Sequence, residues 1–576
     1  MTRQDSTGTR KTKGLLSTRK ACGLAMAIAA SLGLSAAANA GQVYTHHVRD
    51  AVKGNTAQQV SRLAVNKQMS LDVVLPLRDK AGLDAFVADV NDPASANYRH
   101  FLTPQEFTAR FGPTQNDYDT VVQYLERYGF TVTGGSRDGM DIQVVGPVSA
   151  VEAAFNVKMR TYKHPTENRM FYSPDREPTT SLAIPLWHVS GLDNYSIPKP
   201  LYVKKSDYAA ANGISPEAVV SHATTGSGPS ASFLGSDMRA AYYGGSLTGA
   251  GENLGLLEYY GTDLADLSTY FTNAHQTNSV PVTLLSVDGT STSCLASSGC
   301  DDTEQTLDMT QAIGMAPGLA SLVMYVGSTD TAIISAMTTH SPLPTTIGCS
   351  WGWTPADPST LDPYFEKMAA QGQTFFAASG DSGTWSKRNY AWPADDAYVI
   401  SVGGTDLVTS SAGGPWKSET AWSNSGGGIS PAKIGIPSWQ QITGVINSSN
   451  KGSTTYRNGP DVSANANYTF YVCADQTTCT ANEYGGTSFA APMWAGMVAL
   501  INQQRVANGK SRIGSFNATV YPENESGGSL TSTFTTDFHD ITSGSNGTYS
   551  SVTGFDLVTG WGSPKAGLVT TLVNSQ

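Results

Sequence analysis

Charge is scarce in this chain of 576 residues. Asp, Glu, Lys and Arg together make 14%, and the net charge is −11. A nucleic-acid interface needs clustered Lys and Arg, so that function class is set aside. Long apolar runs are scarce too. Ala21 to Leu34 is the one candidate, and it is too short and alanine-rich for a membrane span. It follows Arg3, Arg10, Lys11, Lys13, Arg19 and Lys20 and precedes Ala38-Asn39-Ala40. Residues 1–40 therefore read as a secretory signal peptide with a small-residue cleavage site. The mature protein is expected outside the cytoplasm, with no membrane attachment. Release to the medium and residence in a periplasm both stay open.

Cysteine is sparse, with six in all. Cys22 leaves with the signal. Cys294 and Cys300, and Cys473 and Cys479, are six apart in polar stretches and are expected to close as disulfides in an oxidising compartment. Cys349 lies in an apolar strand-like run and reads as a buried thiol, because no basic residue stands near it to lower its pKa. Histidine is also thin. His100 and His164 stand alone in the N-terminal part, and beyond residue 232 only His275, His340 and His539 remain.

Residues 41–200 alternate short strands (69–75, 142–145, 157–162) with helices (81–90, 116–127, 148–155). That pattern suits a small α+β domain. From 201 to 231 the periodicity fades into Ser, Thr, Gly and Ala, which reads as an exposed, cleavable linker. Residues 232–576 place apolar strands at 254–259, 322–326, 345–350, 374–379 and 398–402, with helices at 332–339 and 361–370 between them. These spacings predict a parallel sheet with crossover helices, whose ligand site lies beyond the strands' carboxyl ends.

Tyr484-Gly-Gly-Thr-Ser488 leads into an apolar helix pattern carrying Ala491, Trp494, Met497, Val498 and Ile501. Pro492 is tolerated in its first turn. A serine there is either an N-cap or a nucleophile beside helix N–H donors. Asp301-Asp-Thr-Glu304-Gln-Thr-Leu-Asp308 opens another helix, capped by Asp302 or Thr303. Glu304 and Asp308, four apart, share one face. A Ser-His-Asp protease needs a histidine base, and none of the three remaining histidines sits in an Asn/His-Gly-Thr context. The carboxylate pair is the available substitute.

These segments resemble the sedolisin family of serine-carboxyl peptidases over nearly all of 60–570. The resemblance rests on Asn97 to Phe107, Phe111-Gly-Pro113 and Gly191-Leu-Asp-Asn194 in the first domain. In the second it rests on Glu304-Gln-Thr-Leu-Asp308, Ala378-Ser-Gly-Asp381-Ser-Gly383 and Gly485-Gly-Thr-Ser488, with Val402 to Thr405, Glu419 to Trp422, Gly426 to Gly428 and Pro460 to Ser463. It implies a ferredoxin-like activation prodomain (41–200), removed by self-cleavage within 200–232, and a subtilisin-like α/β catalytic domain (232–576). It implies Ser488 as nucleophile, Glu304 as general base, Asp308 as its orienting partner and Asp381 as oxyanion donor. Glu258 and Trp351 match positions that extend the network in some members.

The C-terminal segment, Phe538-His-Asp540-Ile541 and then Val552-Thr-Gly554-Phe-Asp556, offers an oxygen-only set suited to calcium. The resemblance implies one calcium ion held by the Asp540 and Asp556 side chains and the Ile541, Val552 and Gly554 carbonyls. The leading expectation is a secreted, acid-active endopeptidase made as a self-processing zymogen. Its partners are peptide substrates and its own prodomain as inhibitor and chaperone, and a monomer is expected. A subtilisin-like Ser-His-Asp protease and a catalytically silent binding protein on the same fold are the alternatives.

Overall fold

The computed structural model describes residues 41–219, 225–355, 358–389 and 392–576. The signal-peptide reading falls on residues 1–40, outside the described residues, as do 220–224 of the expected linker.

The N-terminal domain is built on β1 (Gln68–Val74), α1 (Lys80–Val90), α2 (Gln115–Arg127), β2 (Thr131–Ser136), β3 (Asp141–Pro147), α3 (Val148–Phe155) and β4 (His188–Ser190). The sheet runs β2-β3-β1-β4 with antiparallel pairs, which is the ferredoxin-like arrangement. Its core is aliphatic and aromatic: Leu71, Val73, Leu125, Ile142, Val144, Val151 and Phe155 are buried together. A second apolar surface, carried by Leu83, Phe86, Val90, Phe107 and Phe111, packs onto the larger domain. Polar contacts stitch the same interface, among them the Thr331 hydroxyl donating to Ser190 Oγ and the Ser335 hydroxyl to Asp141 Oδ1, each at 2.8 Å.

The larger domain supplies β5 (Asn253–Glu258), β6 (Val282–Ser286), α4 (Thr303–Met315), β7 (Ser321–Val326), α5 (Asp330–Met337), β8 (Thr346–Cys349), α6 (Pro358–Gln371), β9 (Thr374–Ala378), β10 (Ile400–Thr409), β11 (Trp416–Ala421), β12 (Val462–Asn465) and α7 (Ala490–Ala507). The sheet order is β6-β7-β5-β8-β9-β10-β11, with β12 also on β10. All pairs are parallel except β10 with β11. The central strands β5, β7, β8 and β9 are buried on both faces and read as largely apolar runs. This is the expected subtilisin-like sheet with crossover helices.

Three neighbouring strands, β5, β8 and β9, end level with one another: Leu257 pairs with Cys349 and Cys349 with Ala377. Their next residues, Glu258, Ser350 and the Ser379-Gly380-Asp381 turn, therefore leave the sheet at one edge. Helices α4 and α7 lie across it, buried nearly all round. They approach closely because Gly496 faces α4: a Cβ there would lie 3.0 Å from Ala312 O and 2.9 Å from Met315 Cβ.

The stretch expected as linker is not featureless. Val203–Lys204 is a strand on Thr480–Gly485, and Lys205–Asn212 is a helix. The two disulfides form as expected, Cys294–Cys300 and Cys473–Cys479. Cys349 is a buried free thiol, and burial raises its pKa.

Candidate active site

Ser488 sits in a short turn, Thr487–Phe489, that runs directly into α7. Gly486 precedes it at φ 144°, in the region reserved for glycine. Ser488 does not cap the helix: the N-cap position falls on Phe489, with no side-chain bond. Its hydroxyl points at the Ser350 carbonyl, 3.3 Å away, and its own N–H donates to the Leu201 carbonyl at 3.1 Å.

The first two turns of α4 bring Glu304 and Asp308 to the same place, both buried. Their N-cap is Asp302, but its side chain accepts instead from Thr262 Oγ1 and from the N–H groups of Asp263 and Asp475. Asp301 does the capping work, accepting from Thr303 N at 3.0 Å. Asp308 Oδ1 accepts from the Ser350 hydroxyl at 2.7 Å. Glu258, at the end of β5, accepts from the Trp351 indole at 2.9 Å. Asp308 interacts through its side chain with both Glu304 and Glu258. The result is a buried row: Ser488, Glu304, Asp308, Glu258, Trp351.

Both Glu304 oxygens, Asp308 Oδ2 and Glu258 Oε1 lack any donor. Burial pushes all three carboxyls well above the usual carboxylate range, and their mutual repulsion adds to this for the two glutamates. The Ser488 hydroxyl pulls Glu304 partly back, although neither Glu304 oxygen has reached hydrogen-bond geometry. No salt bridge among the described residues reaches the row. Carboxyls arranged this way share protons and titrate as a set.

Asp381 comes off β9 from the other side. Its Oδ1 accepts from both the N–H and the hydroxyl of Thr487, each at 2.8 Å. Its Oδ2 is shielded from solvent and has no partner, although the residue as a whole is only partly buried. Desolvation raises its pKa to about 7. Protonated, Oδ2 becomes a donor aimed beside the Ser488 N–H.

Of the three remaining histidines, His275 is exposed on the surface and the other two have partners of their own. His340 bonds the Tyr325 hydroxyl at 3.0 Å, and His539 stacks on Trp416 with ring centroids 3.9 Å apart.

Ser350 was not singled out by sequence. It reads as the last residue of a strand, and only the fold reveals that its hydroxyl faces Asp308 while its carbonyl faces Ser488. Thr487 was visible only as part of the glycine turn. Removing the Ser350 hydroxyl takes away a bond that favours ionised Asp308. Ser350→Ala is therefore expected to raise the pKa of the row and move the acid limb of the kcat/KM profile to higher pH. It should also lower stability by about 1–3 kcal/mol for the orphaned buried acceptor. A full pH profile with thermal melts checks both.

At the C-terminal end, Asp540 and Asp556 flank one loop. Asp556 is fully buried and accepts from the N–H groups of Val552, Val558 and Thr559 at 3.0, 2.9 and 2.8 Å. Asp540 Oδ1 accepts from Gly554 N at 3.1 Å. The carbonyls of Ile541, Val552 and Gly554 take no hydrogen bond from any described residue. Among the described residues no group of three or more His, Cys, Asp or Glu gathers there. The donor set is two carboxylates with backbone carbonyls, all hard oxygen, and it fits calcium in chemistry.

Comparison with known proteins follows the same division of the chain. Residues 55–195 match the family model described as pro-kumamolisin, activation domain, and residues 296–518 match that of the subtilase family. The chain is 31% identical over 542 residues to kumamolisin of Bacillus sp. (strain MN-32), covering 88% of this chain and 92% of that protein. It is 29% identical over 558 residues to sedolisin of Pseudomonas sp. (strain 101), covering 89% and 88%. A solved structure of Pseudomonas sedolisin, a serine-carboxyl proteinase complexed with two molecules of pseudo-iodotyrostatin, is 26% identical. It covers 61% of this chain and 98% of its own, with a TM-score of 0.48.

Proposed function

Because the chain belongs to the sedolisin family of serine-carboxyl peptidases, we propose that it is a secreted, acid-active endopeptidase made as a self-processing zymogen. One observation carries the reading: a buried carboxyl row, Glu304-Asp308-Glu258, meets a helix-terminal serine.

In this reading Glu304 takes the Ser488 proton as Oγ attacks the substrate carbonyl carbon. Asp308 orients Glu304, and Glu258 with Trp351 closes the row. The oxyanion accepts from the Ser488 N–H and from protonated Asp381. Glu304 then gives its proton to the leaving amine, and an acyl-serine ester remains. Water hydrolyses that ester with Glu304 again as base. The test is peptide hydrolysis by acid-matured protein and by Ser488→Ala and Glu304→Gln. Hydrolysis that survives in Glu304→Gln rejects the carboxylate base.

Secretion rests on the signal-like residues 1–40. Among the described residues no helix is long and apolar enough to cross a membrane. A monomer needs only its own N-terminal domain as inhibitor and folding partner.

Asp540, Asp556 and the carbonyls of Ile541, Val552 and Gly554 would hold one calcium ion, which would neutralise Asp556 and pin the loop. A cation bound only by the folded chain adds about 2.7 kcal/mol at a hundredfold excess over its Kd. Chelator is expected to lower Tm, and Asp556→Ala to remove most of that sensitivity. A melting curve indifferent to chelator, with no metal found by elemental analysis, rejects the site.

A further inference from the structure

The segment Lys199–Lys204 does not pass over the active site. It lies in it as an extended strand. On one side Pro200 pairs antiparallel with Trp351 and Lys199 with Gly352. On the other side Val203 pairs antiparallel with Gly485 and Lys204 with Tyr484. Between these two ladders the Leu201 N–H donates to Ser350 O at 2.9 Å, and the Leu201 carbonyl accepts from Ser488 N at 3.1 Å. The same carbonyl lies beside the bare Asp381 Oδ2: a Cβ on Gly486 would be 2.5 Å from Leu201 O and 2.9 Å from Asp381 Oδ2. One carbonyl of the whole segment thus faces both groups that the proposed mechanism assigns to the oxyanion.

The residue after it is held separately. The Tyr202 hydroxyl donates to Asp301 Oδ2 at 3.1 Å, and its ring lies against Tyr484 with centroids 5.8 Å apart. Both Leu201 and Tyr202 pack against the apolar core of the larger domain.

We propose that Leu201–Tyr202 is the peptide bond this zymogen cuts to mature itself, and that Asp301 with Tyr484 forms a pocket for an aromatic residue following the scissile bond. The proposal rests on the serine-peptidase reading above. Ser488 Oγ adds to the Leu201 carbonyl carbon and its proton passes to Glu304. The C–N bond to Tyr202 breaks, and Glu304 returns the proton to the Tyr202 nitrogen, which becomes a new N-terminus. Water then attacks the Leu201 acyl ester, leaving a carboxylate on Leu201 and the free hydroxyl on Ser488. Downstream, Tyr208 and Ala209 are packed with Trp422 and Tyr468, so the new end stays tethered to the domain.

The experiment follows the purified full chain by intact mass over the first minutes after acidification, with Ser488→Ala as the uncut control. The earliest N-terminal fragment is expected to end at Leu201. The hexapeptide Lys-Pro-Leu-Tyr-Val-Lys, offered to matured enzyme, is expected to break between Leu and Tyr. Asp301→Ala should lower kcat/KM for that peptide several-fold more than for the analogue with Ala in place of Tyr, since any loss from the weakened cap of α4 falls on both peptides alike. An earliest cut elsewhere, in protein that hydrolyses peptides, overturns the bond assignment and leaves the peptidase reading standing. An equal loss on both peptides in Asp301→Ala overturns the pocket. No cut and no peptide hydrolysis at any pH overturns the peptidase reading and this proposal together.

Discussion

Glu304→Gln is expected to fold, to remain at zymogen length and to hydrolyse no peptide, and Ser488→Ala to behave in the same way. Residues that act as a unit in acyl transfer lose on the order of 10⁶-fold in kcat when either is removed, which is below the detection of an ordinary assay. Gln is nearly isosteric with Glu and carries no charge. Glu304 is buried, and both its oxygens lack donors. Replacing it removes a group whose ionisation the interior opposes, so Tm should hold or rise. That split, dead but stable, separates catalysis from folding. The competing Ser-His-Asp reading makes the opposite forecast: it needs one of His275, His340 or His539. Alanine at each of the three is expected to leave kcat/KM within a few-fold of wild type. Loss of hydrolysis in one of them, with Glu304→Gln active, reverses the assignment. Wild-type protein inert at every pH supports the silent-scaffold alternative.

Why the row was legible in sequence is a matter of local geometry. Glu304 and Asp308 are four apart on a helix, so sequence spacing alone puts them on one face. Ser488 announces itself by the glycines that force its turn. Other features depend on contacts that no local pattern encodes. Ser350 touches Asp308 across 42 residues and Ser488 across 138. The pairing of Val203 with Gly485 joins segments far apart in the chain. The reading of 201–231 as linker followed its Ser, Thr, Gly and Ala content, which is silent about a strand whose partner lies elsewhere. Strand β10 runs on through Gly403-Gly404 to Thr409, well past the expected Val402. There the glycines serve close packing: a Cβ on Gly403 would lie 2.7 Å from the Pro460 ring and one on Gly404 2.7 Å from Ala466 Cβ. The cap of α4 went to Asp301 because Asp302 was already engaged by the loop at Thr262.

The pH response should be acidic in both activity and stability, for one reason. Asp381 can donate to an oxyanion only while protonated, and its folded pKa is raised from 3.8 to about 7 by burial. Its protonated fraction therefore falls as pH rises through that value. In the proposed matured enzyme, without its N-terminal domain, water would enter the cleft and weaken the desolvation. The alkaline limb of kcat/KM should then lie at or below about 7, with little activity at neutrality. The acid limb belongs to the Glu258–Glu304–Asp308 set, which must surrender a proton before Glu304 can accept one. The stability sign follows from the same shifts. A carboxyl whose folded pKa exceeds its unfolded value contributes stability that is complete below the unfolded value and is lost as pH rises through the folded one. For Asp381 that window runs from about 4 to about 7. Tm should therefore decline across it. Asp381→Asn donates at any pH. It is expected to lower peak kcat/KM by less than the 10²–10³-fold typical of a deleted oxyanion donor. It should also flatten the alkaline limb and lessen the decline in Tm. An alkaline limb unchanged in Asp381→Asn assigns that limb to another group. A wild-type optimum at or above neutrality rejects the carboxylate mechanism as a whole.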